Sequence, residues 1–362
     1  MRKFAWIVLI AALGFGGWFA WAVLTPVQPS GPTFVMLHPG YSTRRIAAEL
    51  RTNGIIRSED AFILWHYFRR RRSLKAGEYL FDKPANIIDI QKRLRRGDVY
   101  FHTVVIPEGF TMFDIARAIE AAGLGPAEDF LKVAENDTAL ICDLAPGAHS
   151  LEGYLFPDTY QFSRMMSMQD IAAAMVNQFR QVAERIGLSQ SPTAENTEAG
   201  PPTSVGSGRM TLRITNCPIL PNEPPTELAR TVIMASIIEK ETAVPEERPL
   251  VASVYYNRLA KKIALDADPS VIYAELLAGT YIGALHHDDM RFNSAYNTYT
   301  HTGLPPGPIG NPGKSALEAA MHPAQSDYYY FVADAQGHHK FARTMEEHDK
   351  NVAAYRRAMR GQ

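Results

Sequence analysis

Apolar side chains occupy every position from Phe4 to Leu24 (FAWIVLIAALGFGGWFAWAVL), a run of 21 residues without a charge. At 1.5 Å rise per residue such a helix covers a hydrocarbon core of about 30 Å, so the pattern predicts a transmembrane helix. Arg2 and Lys3 precede it and the following TPVQPSGPT is uncharged. Positive charge on that side favours a cytoplasmic N-terminus and export of everything after the helix. Trp18 and Trp21 suit an interfacial aromatic belt. Ala20-Trp21-Ala22 has the small-x-small form of a cleavage site, which makes a removed signal peptide the competing reading, although this apolar run is long for one.

The pattern then changes period. After a Pro/Gly linker at 25–32, Thr33 to Leu37 reads as a strand, Gly40 to Ser42 as a turn and cap, and Ile46, Ala47 and Leu50 as one face of a helix. A second helix over about Ser58 to Arg70 and a strand at Gly77 to Phe81 complete a βααβ unit. Its first half recurs: at an offset of 69 residues Gly40, Tyr41, Ser42, Ile46, Ala47, Leu50 and Gly54 correspond to Gly109, Phe110, Thr111, Ile115, Ala116, Ile119 and Gly123. Two copies are too few for a solenoid and imply a pair of small modules, or one module with an echo. The organisation expected is a cytoplasmic tip at 1–3, a transmembrane helix at 4–24, a module at 33–105, a second helical half at 106–148 and a mixed α+β domain at 149–362. A Pro-, Ser- and Gly-rich stretch at 189–225 is expected to be a flexible insertion in that domain.

From Thr226 to Thr242 the chain reads TELARTVIMASIIEKET, with a Thr cap, no Gly or Pro, and a stop before Pro245, which predicts a helix. At 100° per residue from Ile233, the residues Ile237, Met234 and Ile238 define an apolar stripe centred near about 70°. Glu241 falls at about 80°, within the stripe, whereas Glu239 falls at about 240°, where a solvated or ion-paired carboxylate costs little. A carboxyl among apolar groups keeps its proton to higher pH and can act as a general acid. The alternatives are that Glu241 frays outward on the last turn or pairs structurally with a base such as Arg258.

Composition narrows the classes. With 46% hydrophobic and 21% charged residues over 362 positions, the chain is an ordered protein large enough for two or three domains. Its 37 basic against 38 acidic residues give no electrostatic reason to expect a nucleic-acid partner. Basic clusters at Arg69–Arg72 with Lys75, and at Lys92–Arg96, are candidates for contact with anionic polymers or headgroups, or are solvated helix faces. Two cysteines, Cys142 and Cys217, exclude a disulfide framework and a four-cysteine zinc site.

Five segments carry a specific resemblance: LEGYLFPDTY (151–160), MASIIEKETAVPEERPLVASVYYNRL (234–259), LDADPSVIYAE (265–275), SAYNTYTHTGLPPGPIGNPG (294–313) and AAMHPAQSDYYYFVAD (319–334). Together they resemble the endolytic murein transglycosylase family (MltG, YceG-like), and the βααβ units resemble LysM-type glycan-binding modules, the alternative being packing modules that hold the active domain off the membrane. The resemblance implies an α+β fold, anchored by one helix in the inner membrane with its catalytic domain in the periplasm, and a lyase that cuts nascent glycan strands between MurNAc and GlcNAc. It maps the catalytic glutamate to Glu241, which would protonate the glycosidic oxygen. As carboxylate it would then take the proton of the MurNAc C6 hydroxyl while that oxygen attacks C1, leaving a 1,6-anhydro end. Glycan strands and the membrane are the implied partners, with peptidoglycan synthases as candidates.

The loop SAYNTYTHTG offers Tyr296 and Tyr299 as stacking faces and Asn297, Thr298 and Thr300 as hydrogen-bond partners for sugar, or else a rigid loop that caps itself. Glu152 is a candidate to orient substrate, against a structural carboxylate role. Asp266-Ala267-Asp268-Pro269 reads as an N-cap followed by Pro at the first helical position, with Asp268 as the cap. His286-His287-Asp288-Asp289 and His338-His339 lack zinc spacing, and Tyr328–Tyr330 read as a strand with at least one ring in the core. Neither cofactor nor metal is expected. The rivals are a non-catalytic wall-binding scaffold, a hydrolytic muramidase and a pyridoxal phosphate lyase, the last disfavoured by the export anchor.

Overall fold

The structure, a computed structural model, describes residues 2–69, 73–188 and 225–360. The expected insertion, apart from Pro225, lies outside the described residues, as do Cys217, Pro224 and Arg70–Arg72. The chain divides into two compact units, one of Met1–Thr103 with Gln161–Ser167, the other of Val104–Tyr160 with Met168–Gln362.

The first unit begins with α1 (Arg2–Leu24). Most of this helix is exposed, and it is long and apolar enough to cross a membrane. Its last turn sends Ala22 and Val23 into the core of the unit. Residues 25–32 do not run free. Arg57 donates to Thr25 O at 2.7 Å and Pro26 O at 3.0 Å, its guanidinium lies over Trp21, and Val27 bridges to Ala85. Strand β1 (Thr33–Leu37) pairs antiparallel with β2 (Gly77–Phe81), Thr33 opposite Phe81 and Leu37 opposite Gly77. Between them come α2 (Thr43–Thr52) and α3 (Glu59–Phe68), and α4 (Ile87–Arg96) follows. Val35, Leu37, Leu50, Phe62, Tyr79, Ile90 and Leu94 form the core.

Strands β3 (His102–Val105) and β4 (Thr159–Phe162) form a second two-stranded sheet. Helices α5 (Met112–Ala121) and α6 (Ala127–Asn136) follow β3. The sequence echo is therefore a structural one: α5 is α2 displaced by the same 69 positions, and Ser42 and Thr111 cap the two through their hydroxyls. Helix α7 (Met168–Arg185) completes the N-terminal part of the second unit.

Its centre is α8 (Glu227–Glu241), capped by Thr226, whose hydroxyl accepts from Ala229 N at 3.1 Å. The wheel led us to expect one apolar stripe. Instead Leu228, Ala229 and the run from Thr231 to Ile238 are all buried, because α9 (Arg248–Ala260), α10 (Asp268–Ala278) and α11 (Lys314–Met321) pack against α8 on several sides. Strands β5 (Tyr330–Ala333) and β6 (His339–Ala342) form an antiparallel hairpin, and α12 (Met345–Arg360) packs on it. The expected Tyr328–Tyr330 strand starts only at Tyr330, and all three rings are half-buried rather than core. Cap chemistry at α10 also differs from expectation: Ala267 is the cap and Asp268 is already helical, which frees the Asp268 carboxylate for another partner.

Candidate active site

A cleft of about 310 Å³ opens at the C-terminal end of α8, within the size range of ligand sites. Glu241 lines it, together with Tyr255 and Arg258 of α9, Asp266 and Asp268 at the start of α10, Tyr299 of the polar loop, Tyr330 and Phe331 of β5, and Met345 and His348 of α12. Helix geometry sets Glu241 there: it is the last residue of α8, followed by an extended Thr242, so one side of its carboxyl faces the cleft and the other the packed end of the helix.

Burial is the main force on this carboxyl and pushes its pKa from 4.5 to about 7. The Tyr255 hydroxyl, which donates a hydrogen bond to Glu241, pulls it back down. The negative charge of Asp268 pushes it up, and the positive charge of Arg258 pulls it down more weakly. Near neutral pH the group therefore populates both protonation states. The alternative in which Glu241 pairs with Arg258 is not what the structure contains. Arg258 donates to Asp266 Oδ2 at 3.0 Å, and to the carbonyls of Tyr329, Ala264 and Leu265 at 2.7, 3.1 and 2.9 Å.

Two further carboxylates line the cleft with Glu241, each engaged. Asp268 accepts from the Tyr299 hydroxyl at 2.5 Å. Asp266 sits in the left-handed region at φ 51°, a conformation costing roughly 1–3 kcal/mol in a residue other than glycine, and is held there beside Arg258. The Arg258 guanidinium also lies 5.2 Å from the centroid of Tyr330, and the Tyr330 ring stacks with His348 at 5.4 Å. Burial lowers the pKa of His348, and its Nδ1 is buried with no hydrogen-bond partner among the described residues. The imidazole forms a flat wall with Tyr330.

The loop residues proposed from sequence separate in space. Tyr299 faces the cleft. Tyr296 instead packs on Tyr273 with centroids 5.2 Å apart and lines another cavity of about 360 Å³ with Tyr154, Ile233, Pro306 and Pro308. Asn297 is fully buried, donating to Met290 O and Phe292 O and accepting from Tyr299 N. Thr298 is buried as well, its hydroxyl accepting from Ala267 N and paired with Ser270. Thr300 donates to Asn297 O at 3.2 Å. Together these three build the loop and the start of α10, so their hydrogen-bonding groups are largely spent on protein.

Glu152 lies away from the cleft. It is 1% exposed and accepts from Met112 N, the first residue of α5, at 2.9 and 3.1 Å, from Asn311 Nδ2 at 2.6 Å and from the Tyr273 hydroxyl. Burial outweighs these donors and raises its pKa to about 8. The wheel put Glu239 opposite the apolar stripe; its carboxylate is ion-paired there but is also buried, binding Arg248 at 2.6 Å and accepting from Gly313 N at 2.9 Å, because α8 is packed on several sides.

Sequence reasoning passed over Tyr255, Arg258 as a partner of Asp266, Asp268, Tyr330 and His348. A signal existed for Asp266 and Asp268 in their charge beside a helix start, which was read as capping alone. None existed for His348, 107 residues beyond Glu241. Among the described residues no cluster of His, Cys, Asp and Glu has the arrangement of a metal site.

The YceG-like family model matches residues 35–354 of the chain. An endolytic murein transglycosylase of Bacillus subtilis (strain 168) is 31% identical over 359 residues, covering 94% of this chain and 90% of its own length. An endolytic murein transglycosylase of Streptococcus pneumoniae R6 is 28% identical and is matched over 97% of this chain but 64% of its own length. Among solved structures, a yceG-like protein from Listeria monocytogenes aligns with a TM-score of 0.52 at 30% identity, over 88% of this chain and 98% of that one.

Proposed function

Because the chain belongs to the YceG-like family, we propose that the Glu241 cleft performs the chain's endolytic murein transglycosylase chemistry. The observation that carries this assignment is a carboxyl poised at about 7 on the wall of a cleft. With its proton on, Glu241 protonates the oxygen linking MurNAc C1 to GlcNAc, and the C1–O bond breaks. As carboxylate it accepts the proton of the MurNAc C6 hydroxyl while that oxygen bonds to C1. Glu241 ends protonated as it began, water is not consumed, and the product carries a 1,6-anhydro end. The nucleophile belongs to the substrate, so the paired acids of ordinary glycosidases are not required, and the engagement of Asp266 with Arg258 and of Asp268 with Tyr299 leaves them as shapers of the cleft. Tyr299, and the wall of Tyr330 and His348, provide faces for sugar rings.

In this reading α1 is a single-pass anchor in the inner membrane with its N-terminus cytoplasmic, supported by Arg2 and Lys3 before the apolar run, and the remaining chain is periplasmic. The β1-α2-α3-β2 unit is a LysM-like module for glycan strands, and peptidoglycan synthases are candidate partners. Muropeptide analysis of glycan strands digested by the full chain tests the chemistry. Anhydro ends that vanish with Glu241→Gln support it. Uncut strands point to a scaffold, and reducing ends to a hydrolase.

A further inference from the structure

Helix α3 is apolar on almost every side. Taking Phe62 as zero and 100° per residue, Ala61, Phe62 and His66 cover the side that is buried in the unit. The opposite arc, from about 140° to 240°, carries Asp60 in the first turn and Leu64, Tyr67 and Phe68 after it. That arc changes character along its length: Asp60 is exposed at the start, whereas at the end Tyr67 is 52% and Phe68 68% exposed. An apolar ring as exposed as Phe68, at the end of a helix whose Phe62 is fully buried and whose Trp65 is half-buried, marks a surface for a further contact.

The position of that end identifies the partner. Phe68 packs edge-on against Phe19 of α1 with ring centroids 6.0 Å apart, and Phe19 stacks in turn with Phe15, which also meets Trp18. These contacts make Phe68 a continuation of the apolar surface of α1. Phe19 lies five residues before Leu24, which places the Phe68 contact about 7 Å inside the outer end of the apolar run. Above it, the Arg57 guanidinium stacks on Trp21 and holds the Thr25 and Pro26 carbonyls, and Arg69 lies over Trp65 at 5.2 Å. Aromatic rings below and guanidinium groups at the rim are the arrangement found where protein meets the headgroup layer.

We infer that the C-terminal end of α3, through Phe68, inserts into the lipid interface of the same membrane that α1 crosses, so that the first unit rests on the bilayer surface and is not held off it by a tether. This rests on the reading of α1 as a membrane anchor. The occupant is lipid because the patch is continuous with α1 and has a cationic rim.

Photo-crosslinking of the full chain in nanodiscs of mixed neutral and anionic lipid tests it, with p-benzoylphenylalanine placed at one position at a time and lipid adducts read by mass spectrometry. Phe68→p-benzoylphenylalanine should give lipid adducts several-fold above Ile282→p-benzoylphenylalanine, a position in the other unit that is 80% exposed. Leu13→p-benzoylphenylalanine, in the middle of α1 and 67% exposed, reports on the anchor itself. Adducts at 13 but none above background at 68 overturn the inference and leave the anchor standing. Absence of adducts at both overturns the two together, and equal yields at 68 and 282 overturn the inference as non-specific labelling.

Discussion

Replacing Glu241 by Gln should remove turnover and, at alkaline pH, make the protein more stable. The folded protein holds the Glu241 proton more tightly than the unfolded chain, with a pKa of about 7 against 4.5. Below pH 4.5 the carboxyl is neutral in both states and costs nothing. From pH 4.5 to 7 only the unfolded chain releases the proton, so stability falls, and above pH 7 the loss is complete. At about 1.36 kcal/mol per pH unit the loss reaches about 3 kcal/mol, an upper limit because the carboxyl keeps some contact with the cleft. Gln has no proton to release and its carbonyl still accepts from Tyr255. Thermal unfolding of the detergent-solubilised full chain should therefore show little difference between wild type and Glu241→Gln at pH 5. At pH 8 the variant should melt higher, by at most roughly 6–12 °C for a unit of this size, while cleavage falls by about 10²–10⁴-fold. An offset equal at both pH values, or a variant that melts lower at pH 8, would refute the claim that this carboxyl is desolvated in the folded protein.

Tyr255→Phe removes the donor that lowers the Glu241 pKa, so the alkaline limb of the pH profile for anhydro-end formation should move to higher pH; Asp268→Asn removes the charge that raises it, and the same limb should move down. Movement of both in one direction contradicts the electrostatic account. Arg248→Met leaves the Glu239 carboxylate, 5% exposed, buried and unpaired, and should cost about 3–5 kcal/mol, seen as a lower melting temperature that a further Glu239→Gln change largely restores. Gly153→Ala places a Cβ 2.4 Å from Pro308 Cγ at a φ of +88° and should destabilise by more than about 1 kcal/mol, measured by denaturant midpoint; a neutral outcome would mean that the Pro308 loop yields.

What the sequence made legible was local. Thr226, the absence of Gly and Pro, and the stop before Pro245 define α8 to within a residue, and the 3.6-residue period separated the settings of Glu239 and Glu241. What it hid depends on distant partners. Tyr296 and Tyr299 differ by three positions in one loop, yet one reaches the Glu241 cleft and the other a separate cavity, a difference fixed by the buried amide of Asn297 and the Ser270–Thr298 pair. Asp268 looked like a cap because Asp before Pro often is one. Its carboxylate is instead drawn to Tyr299, 31 residues later, and no spacing rule reports that.

The duplicated β-α-α pattern makes the same point about function. Gly40 and Gly109 are the same residue of the repeat, with φ of +83° and +75° before the capped helices α2 and α5. A Cβ on Gly40 would meet nothing within 4 Å, whereas one on Gly109 would lie 3.4 Å from Glu239 Cγ and 3.5 Å from Lys240 Cδ. The second copy has thus been built onto α8. Lys240 donates to Gly109 O, Asn311 exchanges backbone hydrogen bonds with Gly109 and Phe110, and Glu152 binds the first amide of α5. Glu239 and Lys240, immediately before Glu241, meet this turn, which gives the last turn of α8 a backing next to Glu241. Periodicity reveals that the unit occurs twice. Only the partners of each turn reveal that one copy leaves its turn open while the other braces the end of α8 that carries Glu241.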